Sequence, residues 1–119
     1  MKLAEVIDNI RTEKPNSFDA EKLTQIINEV EGEVAEALGL QFGPYTYAED
    51  SGTELLARSP YDRLYKSYLK ASIDFANEEY DSYQNNVAQY NSDIADFKAF
   101  VVREHASAKK IPRGFRNVW

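Results

Sequence analysis

From Tyr80 onward, large apolar residues recur three and four positions apart at Tyr80, Tyr83, Val87, Tyr90, Ile94, Phe97 and Val101, a heptad stripe that fits a helix. Just before it, Tyr61, Leu64, Tyr65, Tyr68, Leu69, Ile73 and Ala76 mark a second broad helical face. That face opens at Ser59-Pro60-Tyr61-Asp62, where Ser59 can cap, Pro60 suits the first helical position and Asp62 can complete a capping box. A single straight helix from residue 60 to 105 would run about 69 Å at 1.5 Å per residue, far longer than a compact domain of this size. The two stripes must therefore fold back on each other. We place the turn near Asn77-Glu78, a third helix over about 60–76 and the longest helix after it.

Two shorter helices precede this hairpin. Leu3, Val6, Ile7 and Ile10 predict one over residues 2–13, stopped before Pro15, and Leu23, Ile26, Ile27, Val30, Val34 and Leu38 predict another from an Asp19 cap to Gly39. Glu29, Glu31, Glu33 and Glu36 crowd the C-terminal half of the second helix, where the dipole gives carboxylates nothing, and they read as a solvated face or, more sharply, as the lining of a surface where negative charge is wanted. Between residues 39 and 58, Gly39, Gly43, Pro44 and Gly52 break the periodicity. A short hairpin through Gln41-Phe42 and Tyr45-Thr46-Tyr47 is the most this loop offers. The expected fold is all-α: a bundle of about four helices with a long C-terminal helix, a long irregular loop and an extended C-terminal tail. Its core should include Leu23, Ile26, Ile27, Val30, Leu64, Leu69, Ile73, Tyr83, Val87, Ile94 and Phe97.

Composition narrows the chemistry. At 119 residues with 43% hydrophobic content, the chain suits one domain. It has no cysteine and one histidine, His105, so thiolate zinc, iron–sulfur and multi-histidine centres are excluded. The glycines form no phosphate-binding pattern, and Glu104 and His105 are adjacent rather than set one helical turn apart. Glu78, Glu79 and Asp81 have no histidine within a turn, and His105 reads as a dipole partner near a helix end. No enzymatic activity, cofactor or metal is expected. No apolar run approaches a membrane span, and a soluble product made in the cytoplasm is expected.

Charge is distributed unevenly. All 20 acidic residues lie within residues 1–105 together with ten of the 14 basic ones, leaving that body at −10 and residues 106–119 at +4 against an overall −6. The last segment holds Lys109, Lys110, Arg113 and Arg116, interleaved with Ile111, Phe115, Val118 and Trp119, and broken by Pro112 and Gly114. Aromatic and arginine side chains are the types that anchor interfaces. We therefore divide the chain into a helical domain, 1–105, and a basic, aromatic tail, 106–119. The candidate partner-binding residues are Lys109, Lys110, Ile111, Arg113, Phe115, Arg116 and Trp119.

A scattered pattern completes the reading: Thr53-Glu54-Leu55-Leu56, Pro60-Tyr61-Asp62, Leu64-Tyr65, Tyr68-Leu69, Ala71, Ile73-Asp74, Asn77-Glu78, Tyr80, Tyr83, Asn85-Asn86, Tyr90-Asn91, Phe97 and His105. With Lys14-Pro15-Asn16 and Glu31-Gly32, it resembles the small head–tail connector (adaptor) proteins of tailed phages and prophages of Gram-positive hosts. The resemblance covers most of the chain and is weakest from Gly39 to Gly52. It implies a virion protein at the head–tail interface, forming a ring beneath the portal, twelve-fold in the virion, that extends the DNA channel toward head-completion (stopper) or tail proteins. Terminal segments would join the ring to the portal, and DNA would pass without specific binding, since an acidic wall repels phosphates. Two other readings fit the residues: a helical interaction protein of another assembly, and a small regulator using its basic tail on nucleic acid.

Overall fold

A computed structural model describes the backbone of residues 1–110 and the side chains of residues 1–105. Among the described residues five helices follow in order: α1, Leu3–Glu13; α2, Ala20–Leu38; α3, Tyr47–Asp50; α4, Arg63–Ala76; and α5, Tyr80–Lys110. Helix α4 packs chiefly along α5, and α1 and α2 lie against α4, so the all-α bundle and its helical hairpin are as expected. The molecule measures 56 × 34 × 19 Å, two helix diameters thick, and the 31-residue α5 sets its length.

Local chemistry fixes the helix ends. The Lys2 N–H donates to Glu5 Oε1 (2.9 Å) at the start of α1, and Asp19 Oδ1 accepts from the Lys22 N–H (2.8 Å) at the start of α2. Gly39 ends α2 at φ 73°, with its N–H donating to Glu36 C=O and the Leu40 N–H to Ala35 C=O. The hairpin turns at Asn77-Glu78-Glu79, where Glu78 takes the left-handed φ of 59° and the Glu79 N–H donates to Asp74 C=O (2.9 Å).

Four expectations need correction. First, α4 begins at Arg63 rather than Pro60. Residues 58–61 form a turn around a cis Ser59–Pro60 bond, closed by the Tyr61 N–H on Arg58 C=O, and Asp62 makes no side-chain cap. This turn lays Tyr61 on α5, stacked on Phe100 with ring centroids 4.7 Å apart, a contact that local sequence does not encode. Second, the 39–58 loop forms no hairpin. Its ordered pieces are the single-turn α3 and an isolated bridge between Lys2 and Glu54, flanked by Leu3 N–H to Thr53 C=O (3.0 Å) and Leu55 N–H to Met1 C=O (3.0 Å).

Third, α5 runs past residue 105 to Lys110, because Ala106, Ala108, Lys109 and Lys110 are good helix formers and the first breaker is Pro112. Residues 106–110 thus continue the helix instead of opening the tail, and His105 stands more than a turn from the helix end. Fourth, the core omits Tyr83 and Val87, both half-exposed, and includes Tyr65, Leu55, Ala57 and the apolar face of α1. Only the middle of the heptad stripe (Tyr90, Ile94 and Phe97) is buried, since α2 and α4 cover α5 there and leave its first turns open.

Candidate partner-binding surface

Of the four glutamates in the C-terminal half of α2, Glu29 and Glu36 are exposed as expected, Glu33 is half-buried and Glu31 faces the core. Glu31 is completely buried, and its Oε1 accepts from the Tyr65 hydroxyl while Oε2 accepts from the Tyr45 hydroxyl (2.7 Å) and the Leu56 N–H (2.9 Å). Tyr65 in turn accepts from the Ala57 N–H (2.9 Å). Burial, then proximity to Glu31, pushes both phenols above the ordinary tyrosine range, so they remain donors and the carboxylate the acceptor. Three neutral donors thus satisfy a buried carboxylate and bolt the irregular loop to α2. Asn28 adds a two-way bond with the Tyr45 backbone (2.9 and 3.1 Å). The expectation of a solvated glutamate face fails at Glu31.

Its neighbours hold the hairpin. Glu29 accepts from Tyr68 (2.7 Å), whose pKa burial pushes up to about 12, and Glu33 accepts from Tyr90 (2.8 Å) and Lys98 (3.0 Å). Lys98, then Tyr90, holds Glu33 below the usual carboxylate range. Buried Asp93 accepts from Arg63 Nε (2.9 Å), Ser67 (2.7 Å) and Gln89 (2.9 Å), tying α4 to α5. Fully buried Asp74 pairs with Lys14 at 2.5 Å and accepts from Asn86 (2.7 Å), joining α1 to the hairpin. Each of these charged residues is occupied in holding helices together. Among the described residues, no group of three or more His, Cys, Asp or Glu side chains is placed to hold a metal ion.

Among the described residues, two apolar surfaces stand open. The first is a trough of about 510 Å³ between α2, α4 and α5, floored by Phe18, Ile26, Phe75 and Tyr83, with Lys22 and Glu29 on its rim. Phe75, 58% exposed, meets Tyr83 (5.3 Å between ring centroids) and the exposed Tyr80 (6.2 Å). A smaller recess of about 260 Å³ continues past Tyr83 to Val87 and Tyr90. The exposed part of the tyrosine stripe is thus the wall of a groove. The second surface, a cleft of about 430 Å³, lies between Leu38 at the end of α2 and Val101 and Val102 on α5, flanked by Glu36 and His105. The two are separated by about 28 Å along α5, counting 1.5 Å per residue from Tyr83 to Val102.

Sequence reasoning did not find these grooves, although the half-exposed Tyr83 and Val87 were named as part of one apolar stripe. Of the candidate binding residues, the side chains of Lys109 and Lys110 and all of Ile111, Arg113, Phe115, Arg116 and Trp119 lie outside the described residues. The backbone of Lys109 and Lys110 closes α5. Comparison with protein-family models, curated proteins and solved structures gives no match.

Proposed function

We propose that this chain is a phage head–tail connector that forms a ring beneath the portal and extends the DNA channel toward the stopper or tail proteins. The observation that carries the reading is the pair of unlike apolar surfaces, Phe75–Tyr83 and Leu38–Val102, set about 28 Å apart on a helical body of charge −10. Two different patches at two ends of one molecule suit head-to-tail association, which closes into a ring when the rotation per copy permits. A net-negative body suits a conduit along which DNA slides without sticking. Its site residues would be the tail set, Lys109 to Trp119, on the portal or a neighbouring subunit, and the chain would work as a structural protein without a cofactor.

Negative-stain imaging of the purified protein with and without portal tests the reading. A ring of connector density added to the portal is the expected result. Portal particles unchanged by a large excess of the protein would overturn it.

A further inference from the structure

We infer that the trough between α2, α4 and α5 receives the C-terminal segment, residues 111–119, of a second copy of this chain. The inference goes beyond the connector reading, since it requires only two copies and no portal. It starts from the chemistry of the trough. Phe18, Ile26, Phe75 and Tyr83 offer a floor for aromatic and aliphatic side chains. Among the described residues, four carboxylates, Glu29 on the rim and Glu78, Glu79 and Asp81 around the neighbouring Tyr80, stand against two cations, Lys22 on the rim and Lys14, which sits 3.6 Å from Glu79. The complementary occupant is a segment alternating large apolar residues with cations.

The sequence contains such a segment. Ile111, Phe115, Val118 and Trp119 alternate with Arg113 and Arg116, with no acidic residue among them, directly after Lys109 and Lys110. Phe115 and Trp119 stand four residues apart, and each is preceded or followed closely by an arginine or the basic pair, so apolar anchors and cations can engage floor and rim together.

Reach selects the copy. Helix α5 ends at Lys110, 27 residues and about 40 Å beyond Tyr83 at 1.5 Å per residue. The nine residues that follow span at most about 32 Å when fully extended. The segment therefore falls short of Tyr83 in its own chain even before any of it lies in the trough. A second copy has no such restriction. The segment follows Lys110, about 12 Å beyond Val102 along α5, so a trough on the next copy makes the contact a head-to-tail link.

The test uses a labelled peptide of residues 109–119 and the full chain carrying Phe115→Ala and Trp119→Ala, so that the protein's own tail does not compete. Binding measured by fluorescence anisotropy should weaken at least tenfold on adding Phe75→Ala, an exposed position whose loss leaves the helices folded. Lys22→Glu should tighten binding about threefold, because it removes the rim cation. In the otherwise cysteine-free full chain, Ser72→Cys, in the lining of the trough, with Val118→Cys should give disulfide-linked dimers and higher species. No peptide binding, equal binding to the Phe75→Ala protein, or a cross-link formed within single chains would each overturn the inference. These outcomes are independent of portal imaging, so failure here and failure of the connector reading are told apart.

Discussion

Glu31 shows how one side chain can be placed by periodicity and disguised by charge. It follows Ile27 by four residues and precedes Val34 by three, the spacing of the buried face of α2. A carboxylate survives there because two phenols and an amide supply its hydrogen bonds, and those donors come from a loop and from α4. Replacing it with alanine leaves one buried and two half-buried donors without an acceptor, and we expect Glu31→Ala to cost roughly 3–5 kcal/mol in urea unfolding. Glu31→Gln, which keeps the shape, should cost about 1–3 kcal/mol.

The buried Asp74 contributes to the acid limit of stability alongside Glu33, which is also held low. Burial alone would raise its pKa, but Lys14, Ser82 and Asn86 outweigh that and hold it below the ordinary value. A depressed carboxylate contributes stability that is present above its unfolded pKa of about 3.9 and is lost as pH falls through the folded value. Lys14→Met should therefore lower stability at neutral pH by roughly 3 kcal/mol and flatten the acid limb of the curve. At the alkaline end, Tyr45, Tyr65, Tyr68 and Tyr90 are all raised, so their contribution holds below about pH 10 and fades above it. Ultraviolet titration should show these four phenols ionising late, together with loss of helical circular dichroism.

At the scale of elements, the two left-handed residues make opposite predictions. Gly39 closes α2 at φ 73° with open space where a Cβ would stand, so Gly39→Ala should cost about 1 kcal/mol from backbone conformation alone. Glu78 holds φ 59° without glycine's freedom, and Glu78→Gly should leave stability unchanged or raise it by up to about 1 kcal/mol. Thermal melts of the two variants check both signs. The turn at Asn77-Glu78 was legible because two helical stripes could not share one rod. The late start of α4 was not, since Ser59-Pro60-Tyr61-Asp62 satisfies every local rule for a helix N-terminus. The ring of Tyr61 packs on Phe97 and Phe100, and that contact holds the segment as a turn.

For the whole molecule, the core among the described residues ends at Phe97, with Phe100 and Val101 packed against it and Val102 to His105 exposed. Truncation after Lys110 should leave the unfolding free energy within about 0.5 kcal/mol of the full chain. Under the proposed function, the same truncation should abolish attachment to the portal, read by pull-down. A truncated protein that binds the portal at full affinity, or that unfolds outright, would remove the tail from the account.

The sequence by itself determined the helical class, the three main helix boundaries set by Asp19, Gly39 and the Asn77-Glu78 turn, and most of the buried aliphatic set, because these follow from side-chain period and backbone preference within a few residues. It also separated an acidic body from a basic terminus, which is a matter of counting. Only the tertiary structure decided that Glu31 is a core residue, that Tyr83 and Val87 wall an open groove while Tyr90 is buried, and that the loop is bolted rather than free. The physical reason is common to all three. A side chain's environment depends on which distant donors, rings and helices are brought against it, and those partners lie 14 to 57 residues away in the chain.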